Sequence, residues 1–449
     1  ISGGLKAVAW TDVIQVIFLI GGGLVTTFLA LDAVSGGEGV LSGFGTIYES
    51  AQKHFSMIVE KGEMMIPGPG NTMKDAFTDL PGLAVILGAM WLTNIGYWGF
   101  NQYIIQKGLA AKSLEEAKKG LIFAGYLKIL IPLLVVIPGI TAYVLITNNS
   151  PEELSQLIGK PIEEIGTITK SDEAYPWLLK NFVPVGIRGV AFAALVAAIV
   201  SSLASMINST STIFTMDIYK QYMNKEATNK QLVRTGRIVA LVALVIAVAI
   251  APQLAVLDQA FQYIQEYTGF IYPGVVLVFS IGLFWKKAST KAALAAAIAT
   301  IPVGIAFKWL LPEMPFILRM GYVFIVLIVI ALVVSMIDKS NTIEVQPMEG
   351  KKRKKILGWG WAIIALGIIS MIAGIIYTPA LNNVGIESIF MMGTLLVALG
   401  IILWYNATQK VADKKYLQLD LSLYETSTWF KIGAAGIVVI VATLYIIFW

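Results

Sequence analysis

The chain alternates long apolar stretches with shorter polar ones, and the apolar stretches are long enough to cross a lipid bilayer. A spanning helix needs about 20 mostly apolar residues. About eleven stretches meet this requirement, and they cover residues 10–32, 81–106, 121–146, 187–218, 235–256, 259–285, 290–311, 315–337, 358–378, 386–405 and 429–449. The pattern therefore predicts an all-α polytopic membrane protein.

Basic residues in the connecting loops predict an orientation for these helices. If the first stretch begins inside, the inner loops carry about 23 of the 33 Lys and Arg residues, and the outer loops carry about 7 with about 16 acidic residues. The basic run at 351–355 is the strongest single signal. We interpret it as a positive-inside anchor, with a site for lipid head groups or nucleic acid as the alternative.

Composition agrees with lipid as the solvent and removes several classes of function. Charged residues are 14% and hydrophobic residues 57% of the 449 residues, against roughly 25% charged in soluble domains. Without cysteine and with His54 as the one histidine, the chain has no disulfide framework or thiolate metal site. P-loop, GxSxG and HExxH motifs are also missing, so we expect no enzyme. The chain opens with Ile1, which we interpret as a start inside a longer protein.

Polar residues in the middle of the second stretch indicate a broken helix. Residues 91–102 read WLTNIGYWGFNQ, which combines two glycines, two asparagines, a glutamine and several aromatic residues. A break frees backbone groups that can line a cavity and bind a solute. The aromatic residues could instead form an interfacial belt, but Asn94 and Tyr97 lie too deep in the stretch for that.

Two further stretches carry polar groups at membrane depth. Lys128 lies roughly 10 Å inside the third stretch, where it either snorkels to the interface or donates to an internal polar site. In the fourth stretch Ala198, Ser201 and Ser202 share one helix face. Hydroxyls beside a carbonyl suit a small hard cation such as Na⁺, although small residues also suit close helix packing.

The sixth stretch and the long outer loops add weaker signals. Gln262 and Gln265 lie one turn apart near the outer end of the stretch, and they either hydrogen-bond a polyhydroxylated solute or face water. The loops at 33–80 and 147–186 are a lid or ordinary solvated loops, and the second one has the sequence signals of short capped helices. Polar patches on separate membrane helices indicate a path for a solute.

Several separate motifs, in order along the chain, resemble the sodium/solute symporter family. They are GLKAVAWTDVIQ at 4–15, the run from Tyr97 to Gln106, GYLK at 125–128, SSLASMINS at 201–209 continuing through MDIY at 216–219, and FQYIQ at 261–265. The resemblance runs from residue 1 to about 340 and is strongest to the family's bacterial sodium/glucose and sodium/galactose cotransporters.

The resemblance implies the leucine-transporter-like fold, in which two five-helix repeats cross the membrane in opposite senses. It identifies 1–32 as the last helix of the first repeat, 81–285 as the second repeat with its broken helix at 91–102, and 286–449 as additional C-terminal membrane helices. The earlier core helices would precede this chain, which then holds only half of each binding site. The resemblance implies a bulkier residue at the position of Gly96, so the shape of the inner gate does not follow from it.

The resemblance also implies a set of sugar-binding residues. The sugar ligands of the family map to Asn94, Lys128 and Gln265. The aromatic residue that closes over the sugar on its inner side maps to Tyr97, with Trp98 beside it.

A sodium site follows from the same resemblance. The ligands map to the Ala198 carbonyl and to the Ser201 and Ser202 hydroxyls, and Asp12 matches an acidic residue near the inner sodium exit. Relatives that couple two sodium ions tend to have Thr at the position of Ala204. The absence of Thr at this position favours one sodium ion per sugar.

These expectations describe a Na⁺-driven hexose symporter of the bacterial inner membrane that works by alternating access. The expected partners are a small-molecule sugar, a sodium ion and the lipid bilayer, with no nucleic acid and with a homodimer left open. The same family carries sialic acid, proline and other solutes, and Lys128 suits a carboxylate as well as a hydroxyl. A channel or a sensor is the alternative from another class.

Overall fold

The computed structural model describes residues 4–59, 61–67, 72–79, 82–254, 260–285, 288–312, 314–338, 345–346, 351–377, 385–407, 410–411 and 426–449, and most of them are helical. The first helices are α1 (Gly4–Val34), α2 (Val40–Ser50), α3 (Leu83–Val85), α4 (Trp91–Phe100), α5 (Gln102–Leu109), α6 (Leu114–Ile129), α7 (Ile137–Asn148), α8 (Pro151–Ile158), α9 (Ile162–Ile165), α10 (Ala174–Phe182) and α11 (Val185–Ile213). The others are α12 (Asn229–Leu254), α13 (Ala260–Gly269), α14 (Tyr272–Phe284), α15 (Thr290–Leu310), α16 (Phe316–Ile337), α17 (Lys351–Tyr377), α18 (Gly385–Ala407) and α19 (Thr428–Ile447).

Strands and irregular turns make up the remaining elements. Two short antiparallel pairs join β1 (Met65–Pro67) to β2 (Met73–Asp75) and β3 (Val345–Gln346) to β4 (Lys410–Val411). Tight 3₁₀ turns cover Gln52–Phe55, Ala76–Thr78 and Ser171–Glu173. Wider π-helical turns cover Ile86–Met90, Pro132–Val136 and Phe214–Met223. Such π turns are frequent at functional sites.

Length and hydropathy confirm a polytopic helical membrane protein. Within the described ranges, eight helical stretches are long and apolar enough to span a bilayer, and they are Asp12–Val34, Leu114–Asn148, Val185–Met223, Asn229–Leu254, Thr290–Leu310, Phe316–Ile337, Arg353–Ala373 and Thr428–Ile447. The helices α13 and α14 meet the same requirement only as a pair that is bent by 41°, so they count as a ninth span if the pair crosses as one broken helix and as a re-entrant segment otherwise. The other two predicted stretches, 81–106 and 386–405, hold the interrupted series α3 to α5 and the helix α18.

The chain divides into two compact units. The first comprises 1–56, 102–260 and 426–449. Its core includes Ala30 of α1, Leu145 of α7 and Leu178 of α10. Gly22 permits close contact of α1 with α11, because a Cβ there would lie 3.1 Å from the Ala191 Cβ.

The second unit comprises 57–101 and 261–425. Its core is built by α4, α14, α15 and α16, with Leu92, Leu277, Phe324 and Leu327 among the buried members. In the same unit, α17 and α18 pack backbone to backbone through glycines. A Cβ on Gly367 would lie 2.6 Å from the Gly393 carbonyl oxygen, so this close approach requires glycine.

Candidate functional site

Helix α11 brings one predicted sodium ligand against the predicted exit residue. The Ser201 hydroxyl donates to the Asp12 carboxylate of α1, and the Lys107 ammonium of α5 pairs with the other oxygen of the same carboxylate. Ser201 is 8% exposed. Three helices of the first unit therefore meet at one buried hydroxyl and one carboxylate. The sequence motifs pointed to Asp12 and Ser201 separately, whereas they gave no sign of Lys107.

The hydrogen-bond direction at Ser201 decides what that hydroxyl can still bind. A serine hydroxyl has one proton and two acceptor lone pairs. Because the proton is donated to Asp12, the lone pairs remain to face a cation. Ala198 lies one turn earlier on α11 and is half-buried, and Ser202 is next along the helix and exposed. The serine pair thus combines one fixed hydroxyl with one accessible hydroxyl.

A buried polar row continues along α11 beyond this point. Ser205 and Ser209 follow Ser201 at successive turns and are 2% and 6% exposed. The Gln106 amide of α5 donates to the Ser205 carbonyl over 3.3 Å and accepts from the Asn208 amide over 3.1 Å. The Gln106 side chain therefore joins α5 to α11 in the interior of the first unit. Sequence reasoning singled out neither Gln106 nor Asn208.

Lys128 lies in the last turn of α6, immediately before a break in its span. The helix ends at Ile129, and the π turn Pro132–Val136 follows because Pro132 has no N–H for the helical ladder. The Thr27 hydroxyl of α1 donates to the Leu133 carbonyl over 2.8 Å, which satisfies a backbone group at the break. Lys128 itself is exposed. The helix carrying Lys128 is thus interrupted right after it, and α1 supports the interruption.

In the second unit, α4 carries Asn94, Tyr97 and Trp98. Asn94 is exposed, and its amide donates to the Met90 carbonyl over 3.0 Å. The Tyr97 and Trp98 rings lie edge to face at 5.3 Å. Gly96 is buried because the Tyr272 ring occupies the space of a larger side chain, and a Cβ there would lie 3.0 Å from Tyr272 Cδ1. Tyr272 of α14 therefore fills the space that a bulkier residue at this position would need.

The interruption inside 91–102 falls at Asn101. α4 ends at Phe100, Asn101 has extended backbone angles of φ −88° and ψ 114°, and α5 begins at Gln102. The Asn101 amide donates to the Tyr272 hydroxyl over 3.4 Å, and the Phe100 ring stacks on Phe279 at 4.6 Å. Contacts with α14 therefore hold the end of α4.

Gln265 lies on α13, a short helix with polar contacts on neighbouring positions. The Gln262 amide donates to the Asp79 carbonyl over 2.6 Å, which means that Gln262 is held by the protein. Gln265 is half-buried, and its own backbone carbonyl accepts from the Thr268 hydroxyl over 2.9 Å. Of the two glutamines that the sequence singled out, Gln262 has a structural partner.

Next to Gln265, Glu266 is bound by two cations. Arg319 Nη2 lies 2.5 Å and Lys308 Nζ 3.2 Å from Glu266 Oε1. Arg319 is 9% exposed. Sequence reasoning missed this cluster, although Arg319 is the one charged residue in the apolar helix Phe316–Ile337. A charge inside a membrane segment is a signal that could have found it.

The spans define a class of protein, a polytopic helical membrane protein, and a structural comparison gives it the leucine-transporter-like fold. A solved Na⁺-coupled sialic acid symporter in a substrate-bound outward-open state shares the fold with a TM-score of 0.56 at 20% identity, over 75% of this chain and 63% of that one. The chain belongs to the sodium:solute symporter family, whose family model matches residues 1–300.

Two curated relatives give the degree of similarity. A sodium/glucose cotransporter of Vibrio parahaemolyticus is 44% identical over 378 residues, which are 84% of this chain and 67% of the relative. A sodium/myo-inositol cotransporter 2 of Oryctolagus cuniculus is 33% identical over 307 residues, which are 65% of this chain and 43% of the relative. The chain therefore spans about two thirds of the bacterial relative and less than half of the animal one.

Proposed function

We propose that the protein is a sodium-coupled symporter for a galactose- or glucose-type hexose, embedded as a multi-pass protein in a bacterial inner membrane. Membership of the sodium:solute symporter family and 44% identity to a bacterial sodium/glucose cotransporter support this proposal. On this account the protein moves its substrates and catalyses no reaction on them. Alternating access exposes one central site to each side of the membrane in turn.

The observation that carries the sodium assignment is the hydrogen bond from Ser201 to Asp12. It commits the hydroxyl proton to a carboxylate and leaves oxygen lone pairs for a cation. In this proposal Na⁺ takes the Ser201 and Ser202 hydroxyls and the Ala198 carbonyl as ligands. Asp12 stabilises the ion on its way to the inner side, and its pairing with Lys107 supplies a protein cation when sodium has left.

The sugar assignment uses neutral hydrogen bonds and one cation. Asn94, Lys128 and Gln265 act as ligands for hydroxyl groups, and Tyr97 closes over the sugar with Trp98 beside it. The exposed Asn94 side chain and the edge-to-face pair of Tyr97 and Trp98 support this role. Sodium binding should favour the sugar-competent state because the ion binds the two states with different affinity.

A carboxylate substrate is the second candidate within the same transport mechanism. Lys128 favours it because an ammonium pairs with a carboxylate, and the solved structure that shares the fold is a sialic acid symporter. Purified protein in proteoliposomes decides between the two. Excess unlabelled galactose should abolish Na⁺-driven uptake of labelled galactose, while sialic acid and proline leave it unchanged. Uptake of labelled sialic acid without uptake of galactose would contradict the sugar assignment.

The internal organisation belongs to the same proposal. Residues 1–32 form the last helix of the first repeat, 81–285 the second five-helix repeat, and 286–449 additional membrane helices. The interruption at Asn101 supports a broken helix at 91–102. A homodimer is proposed as the assembly, and light scattering of the purified protein tests it by its mass.

A further inference from the structure

The helix that carries Gln265 is short and has little support from the chain that follows it. α13 covers Ala260–Gly269 and ends in tight i to i−3 bonds, from the Phe270 amide to the Tyr267 carbonyl at 3.2 Å and from the Ile271 amide to the Thr268 carbonyl at 3.0 Å. The direction then changes by 41° into α14. A helix of this length is marginal by itself, so side-chain contacts must fix its rotation and tilt.

Helix α15 holds the bend itself. The Thr300 hydroxyl donates to the Phe270 carbonyl over 3.0 Å and accepts from the Gly274 amide over 3.1 Å. Thr300 is 4% exposed. A Cβ on Gly274 would lie 2.8 Å from Thr300 Cβ, so the close approach depends on glycine. One hydroxyl therefore satisfies two backbone groups at the bend.

An ion triad holds α13 on the other side of the bend. Arg319 of α16 and Lys308 of α15 both approach the same oxygen of Glu266, at 2.5 Å and 3.2 Å. The Lys308 ammonium also lies 5.2 Å from the centre of the Tyr267 ring. A buried guanidinium is costly without its carboxylate partner, and this cost keeps Arg319 and Glu266 together.

A third contact lies one turn before the triad. The Gln262 amide donates to the Asp79 carbonyl, as described above. Positions 262 and 266 are four residues apart and share a face of the helix, whereas Gln265 lies about 100° around the axis from Glu266. Contacts at two successive turns therefore set the rotation of α13 and, with it, the direction of the Gln265 side chain.

We propose that Arg319 is a positioning residue for sugar binding. Through Glu266 it holds α13 at the rotation that presents Gln265 to the sugar, and Lys308 supports the same carboxylate. This inference rests on the proposed function, in which Gln265 is a sugar ligand. Arg319 touches Glu266 rather than the sugar, so its loss should weaken sugar binding and leave the sodium half of the site intact.

The transport test uses Arg319→Gln in proteoliposomes. The KM for labelled galactose should rise about tenfold, while the maximal rate and the half-saturating Na⁺ concentration change by less than about twofold. Arg319→Lys keeps the charge and should recover most of the affinity. Glu266→Gln should raise the KM similarly, and the double variant should be no worse than either single one.

Lys291→Gln is the matched control. It breaks an ion pair of 3.0 Å with Asp338, which also joins α15 to α16 but lies at their other ends. Its KM for galactose should equal that of the wild type. An equal rise of the KM in Lys291→Gln and Arg319→Gln would mean that general loosening of the helix pair, rather than α13, explains the effect, and it would overturn the proposal.

A distance measurement tests the position of α13 without relying on transport. The chain has no cysteine, so spin labels can be placed at Phe261→Cys and Met336→Cys, positions that are 71% and 82% exposed. Arg319→Gln should broaden the distance distribution, and Lys291→Gln should leave it sharp. An unchanged distribution in Arg319→Gln, with or without a higher KM, contradicts positioning through α13. Wild-type protein without galactose uptake would overturn the proposed function, while the distances still decide whether the triad holds α13.

Discussion

At the residue scale, the hydroxyl of Ser201 shows how far side-chain spacing carries a prediction. The spacing of Ala198, Ser201 and Ser202 placed them on one helix face and left sodium binding and helix packing as alternatives. The contact with Asp12 adds the direction of the hydroxyl proton, which favours a cation at the oxygen. That contact joins residues far apart in sequence, so no local pattern contains it.

Ser202 offers the most direct substitution in the sodium half. Ser202→Ala removes the exposed hydroxyl from the proposed ligand set, and we expect Na⁺-driven accumulation to be lost while the protein remains folded, because the side chain is exposed. Thr210→Ala is the control. This threonine is exposed on the same helix, and its hydroxyl donates to the Met206 carbonyl of the preceding turn. Undiminished coupling in Ser202→Ala would remove Ser202 from the sodium site.

Gly96 and Arg319 show what sequence reasoning leaves out at this scale. The resemblance led us to expect a bulkier residue in place of Gly96, and only the packing of α4 on α14 reveals that the Tyr272 ring fills the space. Arg319 lies near the start of an apolar stretch, where a charged residue is expected to have a partner. The sequence does not show which residue that is, because the partner, Glu266, belongs to another helix. Both cases depend on contacts between helices that are distant in sequence.

At the scale of the element, the length of an apolar stretch predicts where a helix lies. It does not predict the breaks and bends at which the helix ends. The bounds of α15 and α16 agree with predicted stretches to within one residue, whereas α1 and α12 each begin six residues earlier than predicted and end within two residues of the prediction. A π turn begins at Pro132, which cannot donate to the helical ladder. The bend between α13 and α14 was not predicted, because its stability depends on Thr300 from a different helix.

Thr300 gives a prediction about this bend. Thr300→Val keeps the shape but leaves the Phe270 carbonyl and the Gly274 amide without their partner, so we expect a loss of about 1–3 kcal/mol in the free energy of unfolding. Thr300→Ser keeps the hydroxyl and should lose less. Thermal unfolding of the purified variants measures the difference, and a Thr300→Val variant as stable as Thr300→Ser would show that the hydrogen bonds do not stabilise the bend.

A capping box at the start of α8 supplies a pH-dependent element. Ser150 and Glu153 form this box, with the Ser150 amide donating to Glu153 over 2.7 Å, and this bond lowers the pKa of the Glu153 carboxyl below its ordinary value. A lowered pKa stabilises the folded form at higher pH, and this stabilisation is lost as the pH falls below the ordinary range of a glutamate carboxyl and through the lowered folded-state pKa.

Hydrogen exchange of α8, corrected for the intrinsic rate, tests this pH dependence. Exchange at 151–158 should be faster at about pH 3 than at about pH 6, and Glu153→Gln should remove most of the difference. Glu152→Gln changes the neighbouring carboxylate, which is outside the capping box, and should behave as wild type. The same pH response in Glu153→Gln and wild type would exclude the capping box as its cause.

At the scale of the whole molecule, composition and family membership agree on a membrane transporter. The low content of charged residues, 14%, predicted a protein that lies in lipid. The eight membrane-spanning helices among the described residues agree with this prediction. The substrate that is transported depends on the individual side chains that contact it. Sequence motifs therefore predict the class of protein better than the substrate, because single contacts determine specificity.

The central claim is that a sodium gradient drives sugar accumulation, and labelled-galactose uptake into proteoliposomes tests it most directly. Vesicles with an inward Na⁺ gradient should accumulate galactose above its external concentration, and those with a K⁺ or H⁺ gradient of the same size should only equilibrate. A sodium ionophore should release the accumulated sugar, because symport is reversible. Equal uptake under all three gradients, or uptake that never exceeds the external concentration, would contradict sodium-coupled symport.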